Sequence, residues 1–315
     1  MRVTHTPTLT HVPDLIGLHG GHSRWPRRVL AVVSALVLSC GGLAQQALPN
    51  AEPAATSIAS LDALATKVGQ LATTDAAAAG HAVFTAADER QSGFGDFEVD
   101  LRMVLRSRAG ATVERKLELA QMEIIDAGDR LRVVFQTPKA IRGTALLSHG
   151  QLTREDDQWL YLPALKRVKK IASRNRSGPF LGSEFSYEDL SSQEVGKYLY
   201  RYVGEEACGE LRCYVVERRP GENIYSGYLR QVFWIDVTEL RTWKVEYYNR
   251  GDRLLKTLNA QNFQRHIERF WRAGTLTMQN HVTGKSTELH WENFRYGVGL
   301  VAERDFSKTS LRRLR

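Results

Sequence analysis

Apolar and polar residues alternate through most of the chain beyond residue 94. The clearest run covers residues 97–105, where every second residue is apolar and the intervening ones are mostly charged. Successive side chains of a strand point to opposite faces, so this run predicts a strand with one dry and one wet face. The apolar positions of this strand and of the next clear alternation, 131–135, are Phe97, Val99, Leu101, Met103, Leu105, Leu131, Val133 and Phe135.

Further strands are predicted along the rest of the chain. In the first half they cover 112–125, 143–149, 159–162 and 167–171, and in the second half 198–204, 213–218, 232–237, 243–248, 254–263, 276–280 and 286–294. The apolar parity shifts after Met122, which predicts a bulge or bend there. About twelve short strands joined mostly by short turns indicate an antiparallel sandwich or barrel.

One helix is predicted in front of the strands. Its apolar residues recur at spacings of three and four, and they are Ile58, Leu61, Leu64, Val68 and Leu71. This spacing is typical of an amphipathic helix. The small residues at 76–80 are expected to end it.

The N-terminal part has the features of an export signal. Arg24, Arg27 and Arg28 precede an apolar run at 29–43, and small residues reach Ala44. Charged, apolar and small residues in that order predict an N-terminal extension followed by a signal peptide, which together cover residues 1–44. The apolar run is too short to span a bilayer comfortably. The alternatives are a buried internal helix and a loose lipobox that would place a lipid on Cys40. Residues 45–56 are interpreted as a linker and 57–315 as a single domain.

Composition and cysteine usage agree with an exported globular protein. The 315 residues are 43% hydrophobic, which is enough for a core. Cleavage after residue 44 would remove four cations and one acid and reduce the net charge from +8 to +5. Export makes nucleic acid an unexpected partner. Cys208 and Cys213 have the spacing of a disulfide across a small hairpin, with a metal pair as the alternative.

The segment 155–190 combines unlike features more densely than any other. Six cations follow its short aromatic strand, and they are Lys166, Arg167, Lys169, Lys170, Arg174 and Arg176. The cations and the loop aromatics Phe180, Phe185 and Tyr187 together predict a docking loop. The aromatics either contact a ligand or plug the end of a barrel. The neighbouring acids could form a carboxylate pair or calcium site, but neutralisation of the cations is the favoured interpretation.

Catalytic signatures are missing from the sequence. It contains no G-x-S-x-G, no H-E-x-x-H and no phosphate-binding glycine loop. We therefore predict no catalytic residues, no metal and no other cofactor. A curved sheet with one apolar face, covered by a helix, can enclose a cavity for an apolar ligand. The candidate lining residues are the eight strand residues listed above together with Trp159 and Tyr161, with a fully packed core as the alternative.

Several short motifs follow one another in order over residues 80–312. They are Gly143-Thr144, the Trp159 to Pro163 run, the basic segment, the Gly182 to Asp189 run, the Cys213 to Glu217 run, Trp234-Ile-Asp236, the Lys244 to Tyr247 run, the Met278 to Asn280 run and the tail 306–311. In this combination they resemble the outer-membrane lipoprotein-sorting protein family. Glu184 stands where the family usually has Asp, which keeps the charge.

The resemblance implies a periplasmic, LolA-like protein without catalytic activity. Its expected fold is an unclosed antiparallel β-barrel over an N-terminal helix, with a cavity for lipid or lipoprotein acyl chains. Its expected partners are an inner-membrane transporter of the RND superfamily and a membrane surface. The alternative is an adaptor subunit of an envelope complex that binds no ligand. A third hypothesis, a hydrolase using the acids between Glu184 and Asp189, is the least favoured.

Overall fold

The computed structural model describes residues 58–313, with side chains from residue 60 onward. The predicted signal peptide, Cys40 and the linker 45–56 lie outside the described residues and stay predictions. Within the described range the chain begins with two helices and continues as strands, ending in a short helix, α3 (Ala302–Asp305).

The two N-terminal helices are α1 (Ile58–Ala72) and α2 (Ala76–Gln91). The first confirms the predicted amphipathic helix, and its Leu64 and Val68 are buried in the core. The prediction that the small residues at 76–80 end the helical region is wrong. Asp75 caps a second helix there by accepting a hydrogen bond from the Ala78 N–H at 2.9 Å, and alanines are the strongest helix formers.

Thirteen strands follow within the described residues. They are β1 (Asp96–Arg106), β2 (Thr112–Met122), β3 (Arg130–Thr137), β4 (Ala145–His149), β5 (Asp157–Leu162), β6 (Arg167–Lys170), β7 (Tyr198–Cys208), β8 (Leu211–Pro220), β9 (Tyr228–Asp236), β10 (Thr242–Asn249), β11 (Leu254–His266), β12 (Phe270–Asn280) and β13 (Ser286–Tyr296). The parity shift after Met122 marks the end of β2. Of the predicted bulge or bend, the chain shows a turn at residues 125–127. A bulge is not present there, because the pairing of β1 with β2 stays in register up to Met122.

All thirteen strands form one antiparallel sheet that does not close. Strands β1 to β6 form one meander and β7 to β13 another, and pairing of β1 with β13 joins them. The sheet therefore has two edges, β6 and β7, as expected for an unclosed LolA-like barrel. Residues 171–197 connect these two edges, and we call them the plug segment.

The inner face of the sheet carries the main hydrophobic core. The alternation on β1 continues across its neighbours, since Val99 is paired with Leu119 and Met103 with Leu289. Helix α2 packs against this arrangement so closely that a Cβ on Gly80 would lie 2.8 Å from the Tyr202 backbone nitrogen. Eight predicted cavity residues belong to this core or pack against it, and they are Phe97, Val99, Leu101, Met103, Leu105, Leu131, Val133 and Phe135.

The outer face carries a second apolar cluster, which corrects part of the sequence interpretation. Tyr161 lies in this cluster with Phe306 and Leu311 of the C-terminal tail, and Trp159 packs against it. Trp159 and Tyr161 therefore point away from the interior, and assigning them to an inner cavity was wrong. Because the tail covers this part of the outer face, both faces of β5 receive apolar neighbours and alternation alone does not distinguish them.

The Cys208–Cys213 disulfide is present in the structure, as predicted. It joins the end of β7 to the start of β8 across their hairpin. The Cys213 side chain is fully buried in a small cluster on the outer face with Val215, Val232 and Trp234. The pair is therefore structural and is not a metal site.

Candidate functional site

The plug segment fills the space along the inner face of the sheet. It consists of short 3-10 turns, including Phe180–Gly182 and Glu188–Leu190. Phe180 and Phe185 are only 2% and 4% exposed, and the Phe180 ring lies 5.5 Å from that of Phe135. These two phenylalanines are therefore part of the packed interior. Their assignment to an exposed docking surface was wrong, and the barrel-plugging alternative is the one observed. Tyr187 is half-buried and packs edge-on against Phe180 at 5.5 Å.

The six cations of the segment have different environments. Arg176 is buried, forms an ion pair with Glu155 and donates a hydrogen bond to the Asp156 carbonyl at 2.6 Å. Its predicted role in docking was wrong because a buried, paired guanidinium does not reach a partner. Lys170 is exposed but pairs with Asp157 at 2.6 Å. The other four cations are exposed, and none of them has a carboxylate within 4.0 Å among residues 60–313. They are Lys166, Arg167, Lys169 and Arg174.

A buried ion pair fastens the end of the plug segment. Lys197 Nζ lies 2.5 Å from Asp156 Oδ1, and both side chains are almost fully excluded from solvent. Asp156 also accepts hydrogen bonds from the backbone N–H groups of Ser192 and Gln151, at 2.6 and 3.2 Å. Asp156 is thus neutralised by Lys197, which lies outside the predicted cation cluster. The pairing of Asp157 with Lys170 is the contact that confirms the interpretation of these acids as neutralising groups.

The acids proposed for a hydrolase are likewise engaged in structural bonds. Glu188 accepts hydrogen bonds from the Ser226 hydroxyl at 2.6 Å and the Gly227 N–H at 3.1 Å, and burial raises its pKa. Asp189 accepts from the Tyr228 hydroxyl at 3.1 Å. Each carboxylate thus ties the plug segment to the turn before β9 or to β9 itself.

Glu184 is held in the same way on the other side of the plug segment. Its carboxylate accepts a hydrogen bond from Asn280 Nδ2 at 2.7 Å, and its backbone N–H donates to the Thr287 hydroxyl at 2.9 Å. These bonds attach the plug segment to the ends of β12 and β13. None of these acids pairs with a base or nucleophile in a catalytic arrangement in the described part of the chain.

A cavity of about 270 Å³ lies between the plug segment and strands β8 to β11. One wall is apolar or aromatic and consists of Tyr198, Phe233, Val245, Tyr247 and Leu258. The opposite wall is polar and belongs mostly to the plug segment and the residues before β5. None of the ten predicted cavity residues lines this space, so the prediction put the cavity on the wrong half of the sheet.

Arg218 is the functional candidate that the sequence analysis missed. It lines the cavity and is only 4% exposed. Its position shares the parity of Tyr214 and Val216, whose side chains belong to the inner core. An arginine in register with the inward-facing apolar residues of its strand was the signal available in the sequence.

The described residues contain neither a metal-binding group nor a membrane helix. No cluster of three or more His, Cys, Asp and Glu side chains suited to a metal occurs among them. No helix of the described range is long and apolar enough to cross a membrane.

The unclosed sheet, its covering helices and its internal cavity define a class of LolA-like folds, and comparison with known proteins places the chain in this class. A family model described as "uncharacterized protein" matches residues 128–313. An outer membrane lipoprotein-sorting protein domain from Vibrio parahaemolyticus is 43% identical, with a TM-score of 0.72 over 75% of this chain and 99% of that one. The chain belongs to this outer-membrane lipoprotein-sorting protein family.

Two further solved structures agree with this assignment. A DUF1329 family protein from Desulfovibrio piger is 27% identical, with a TM-score of 0.72 over 76% of this chain and 100% of that one. A LolA superfamily protein from Nitrosomonas europaea is 19% identical, and its TM-score of 0.59 over 73% of this chain and 98% of that one shows the shared fold. No curated protein matches the sequence significantly.

Proposed function

We propose that this protein is a periplasmic carrier of lipid or of lipoprotein acyl chains. The observation that carries the proposal is the cavity of about 270 Å³ between the plug segment and an apolar wall of an unclosed sheet. Family membership supports it, because the Vibrio relative is described as a lipoprotein-sorting domain. Each methylene buried on the apolar wall would contribute about 0.8 kcal/mol.

The size of the cavity indicates how cargo is accommodated. Small-molecule pockets are usually about 300–1,000 Å³, so a cavity near the lower end suits one chain better than a lipid with several chains. Phe180 and Phe185 occupy the adjoining interior. A larger cargo would require these side chains to move together with the plug segment.

The membrane-facing surface in this proposal is the set of four exposed cations that have no carboxylate partner among the described residues, Lys166, Arg167, Lys169 and Arg174. These residues lie on or beside the edge strand β6, where they would meet anionic head groups or an acidic surface of an inner-membrane RND-type transporter. Lysines on an edge strand also prevent association of sheets edge to edge. Binding to anionic vesicles is expected if these cations form a membrane-facing surface, and it is not expected if they only prevent association of sheets.

An adaptor that binds no ligand is the second candidate function. The observation that favours it is the packed core that includes Phe180 and Phe185, in which six of the eight predicted residues on β1 and β3 are buried and Leu105 and Leu131 are partly buried. Such a protein would act through its outer surface alone.

Native mass spectrometry of the protein purified from its own envelope tests the carrier function. The carrier predicts a co-purifying acyl-bearing species at near-stoichiometric amounts. A Leu258→Trp variant, which fills the cavity, would lose it, whereas Leu254→Trp on the same strand but outside the cavity would keep it. Bare wild-type protein bound to protein partners would contradict the carrier and support the adaptor.

A further inference from the structure

The guanidinium of Arg218 is held in a fixed orientation inside the cavity. Its Cζ lies 4.0 Å from the centre of the Tyr198 ring and 4.5 Å from that of Phe233. Its Nε donates a hydrogen bond to Gln231 Oε1 at 2.6 Å, and its Nη2 donates to Gln193 Oε1. Two aromatic rings and two amide oxygens therefore orient the group without neutralising its charge.

Among the described residues, no counter-ion accompanies this buried charge. No carboxylate lies within 4.0 Å of Arg218 in the part of the chain that the structure describes, whereas the neighbouring Arg230 on the outer face pairs with Glu217 and Asp252. The Arg218 Nη1 group has no acceptor among the same residues. Burying an unpaired cation is costly, so a position of this kind is expected to serve an anion that binds there.

Four carboxylates also line the cavity, but each already has donors of its own. Asp156 and Glu155 pair with Lys197 and Arg176 respectively. The remaining two are bound by wall groups, since Glu188 accepts from Ser226 and Gly227, and Asp189 accepts from Tyr228 with Lys256 Nζ at 4.0 Å. The available positive group in the cavity is therefore Arg218.

Apolar surface adjoins the guanidinium directly. Phe233, which stacks on Arg218, lines the same cavity as Val245, Tyr247 and Leu258. A ligand that satisfies both features has a small anionic head and one hydrocarbon chain. The plug segment contributes Gln193 to the head-group side, so it forms part of this site as well as covering it.

We propose that Arg218 is the head-group site of the cavity and that its ligand is a single-chain anionic amphiphile with a carboxylate or phosphate head. The proposal rests on the proposed carrier function, because the same cavity holds the acyl chain. It adds that the cavity selects for charge at the head. Charge-assisted hydrogen bonds from a guanidinium fork to carboxylate or phosphate provide that selection.

Titration calorimetry on the delipidated mature protein tests this selection with four probes. They are hexadecanoate, a lysophosphatidate with the same chain, the neutral monoacylglycerol of that chain, and inorganic phosphate. At least one anionic amphiphile should bind at least tenfold more tightly than the neutral one, a difference of about 1.4 kcal/mol. Inorganic phosphate binding as tightly as lysophosphatidate would overturn the assignment to an amphiphile.

Variants locate the selection at Arg218. Arg218→Met should abolish the preference for the anionic head while neutral monoacylglycerol still binds. The matched control is Arg230→Met, which also removes an arginine stacked on a tyrosine, at 3.5 Å from Tyr248, but on the outer face. It should leave the preference unchanged. Persistence of the preference in Arg218→Met would overturn the proposal.

The result that would contradict the head-group site differs from the result that would contradict the carrier function. Equal binding of neutral and anionic amphiphiles by the wild type would overturn the head-group site and leave the carrier function intact. Binding of no amphiphile would contradict both. If Arg218→Met does not fold, the wild-type series still decides, and Arg218→Lys should retain part of the preference because it keeps the charge without the fork.

Discussion

Asp156 and Lys197 form an ion pair whose two side chains are 0% and 3% exposed, across a sequence separation of 41 residues. The pair joins the residue before β5 to the last turn of the plug segment. It therefore fixes the point at which the chain leaves the interior and begins β7. It adds a buried ion pair to the hydrogen bonds through which Glu184, Glu188 and Asp189 attach the plug segment.

Breaking this pair should be costly. Lys197→Met should lower the free energy of unfolding by about 3–5 kcal/mol, because Asp156 would be left buried without its cation. Lys170→Met removes a cation from an exposed pair and should cost at most about 1 kcal/mol. Urea denaturation measures both. The double variant Asp156→Asn/Lys197→Met removes the unpaired charge and keeps an amide oxygen for the backbone N–H groups of Ser192 and Gln151, so it should recover part of the loss. A double variant less stable than Lys197→Met would contradict this account.

Close packing between the plug segment and the turn before β9 gives a second prediction. A Cβ on Gly227 would lie 2.5 Å from the Ser177 Cβ, so Gly227→Ala should displace the plug segment. Limited proteolysis should then cut within 171–197 faster than in the wild type. Gly251→Ala is the control, because the nearest atom lies at 3.4 Å there. Equal cleavage rates in the two variants would show that the plug segment is not held at this point.

Charge reversal tests the membrane surface. Lys166→Glu/Lys169→Glu should weaken sedimentation with vesicles rich in anionic lipid by at least tenfold at low salt, since each lysine near such a surface contributes about 1 kcal/mol. The effect should shrink as salt screens it. Lys67→Glu/Lys285→Glu changes the net charge equally at exposed sites elsewhere. If both double variants lose the same affinity for the vesicles, the net charge of the protein controls vesicle binding and this surface does not.

Asp129 predicts a pH dependence of stability. Burial raises its pKa to about 6, while the hydrogen bond from Gln121 Nε2 at 2.9 Å acts in the opposite direction. The folded state therefore holds the proton more tightly than the unfolded chain. Its contribution to stability is full below about pH 4 and is lost as the pH rises to about 6.

Replacement of this carboxyl should remove its share of the dependence, because burial also raises the pKa of Asp88 to about 6. Asp129→Asn should reduce the slope of the stability profile between pH 4 and 6 and raise the free energy of unfolding at pH 7 by up to about 3 kcal/mol. Asp126→Asn, an exposed acid of the same turn, should leave the profile unchanged. Thermal denaturation over this range measures the profiles. An unchanged profile in Asp129→Asn would mean that other groups control it.

The local pattern of apolar and polar residues was sufficient to predict much of the fold. Alternation on β1 identified both its extent and its inner face, because one side of that strand meets the core and the other meets solvent. It failed for β5, where the C-terminal tail covers Tyr161 from outside. Helix α2 was missed because its residues are mostly small on all sides and produce little amphipathic periodicity.

The candidate site was less accessible from sequence. Segment 155–190 stands out in the sequence because aromatic, basic and acidic residues lie close together there. Several of its residues do line the cavity or its rim. The wall opposite comes from β8 to β11, and Arg218 lies next to Gln193 only because the chain folds back across the sheet. Contacts of this kind depend on tertiary packing, which a single sequence does not display.

Photo-crosslinking with a diazirine-bearing fatty acid tests the central claim most directly. The chain should label peptides of β9, β10 and β11 that contain Phe233, Val245 and Leu258, and excess hexadecanoate should suppress the labelling. Leu258→Trp should reduce it, and Leu254→Trp should not. Labelling confined to the exposed surface, or labelling that Leu258→Trp leaves unchanged, would contradict an acyl-binding cavity between the plug segment and these strands.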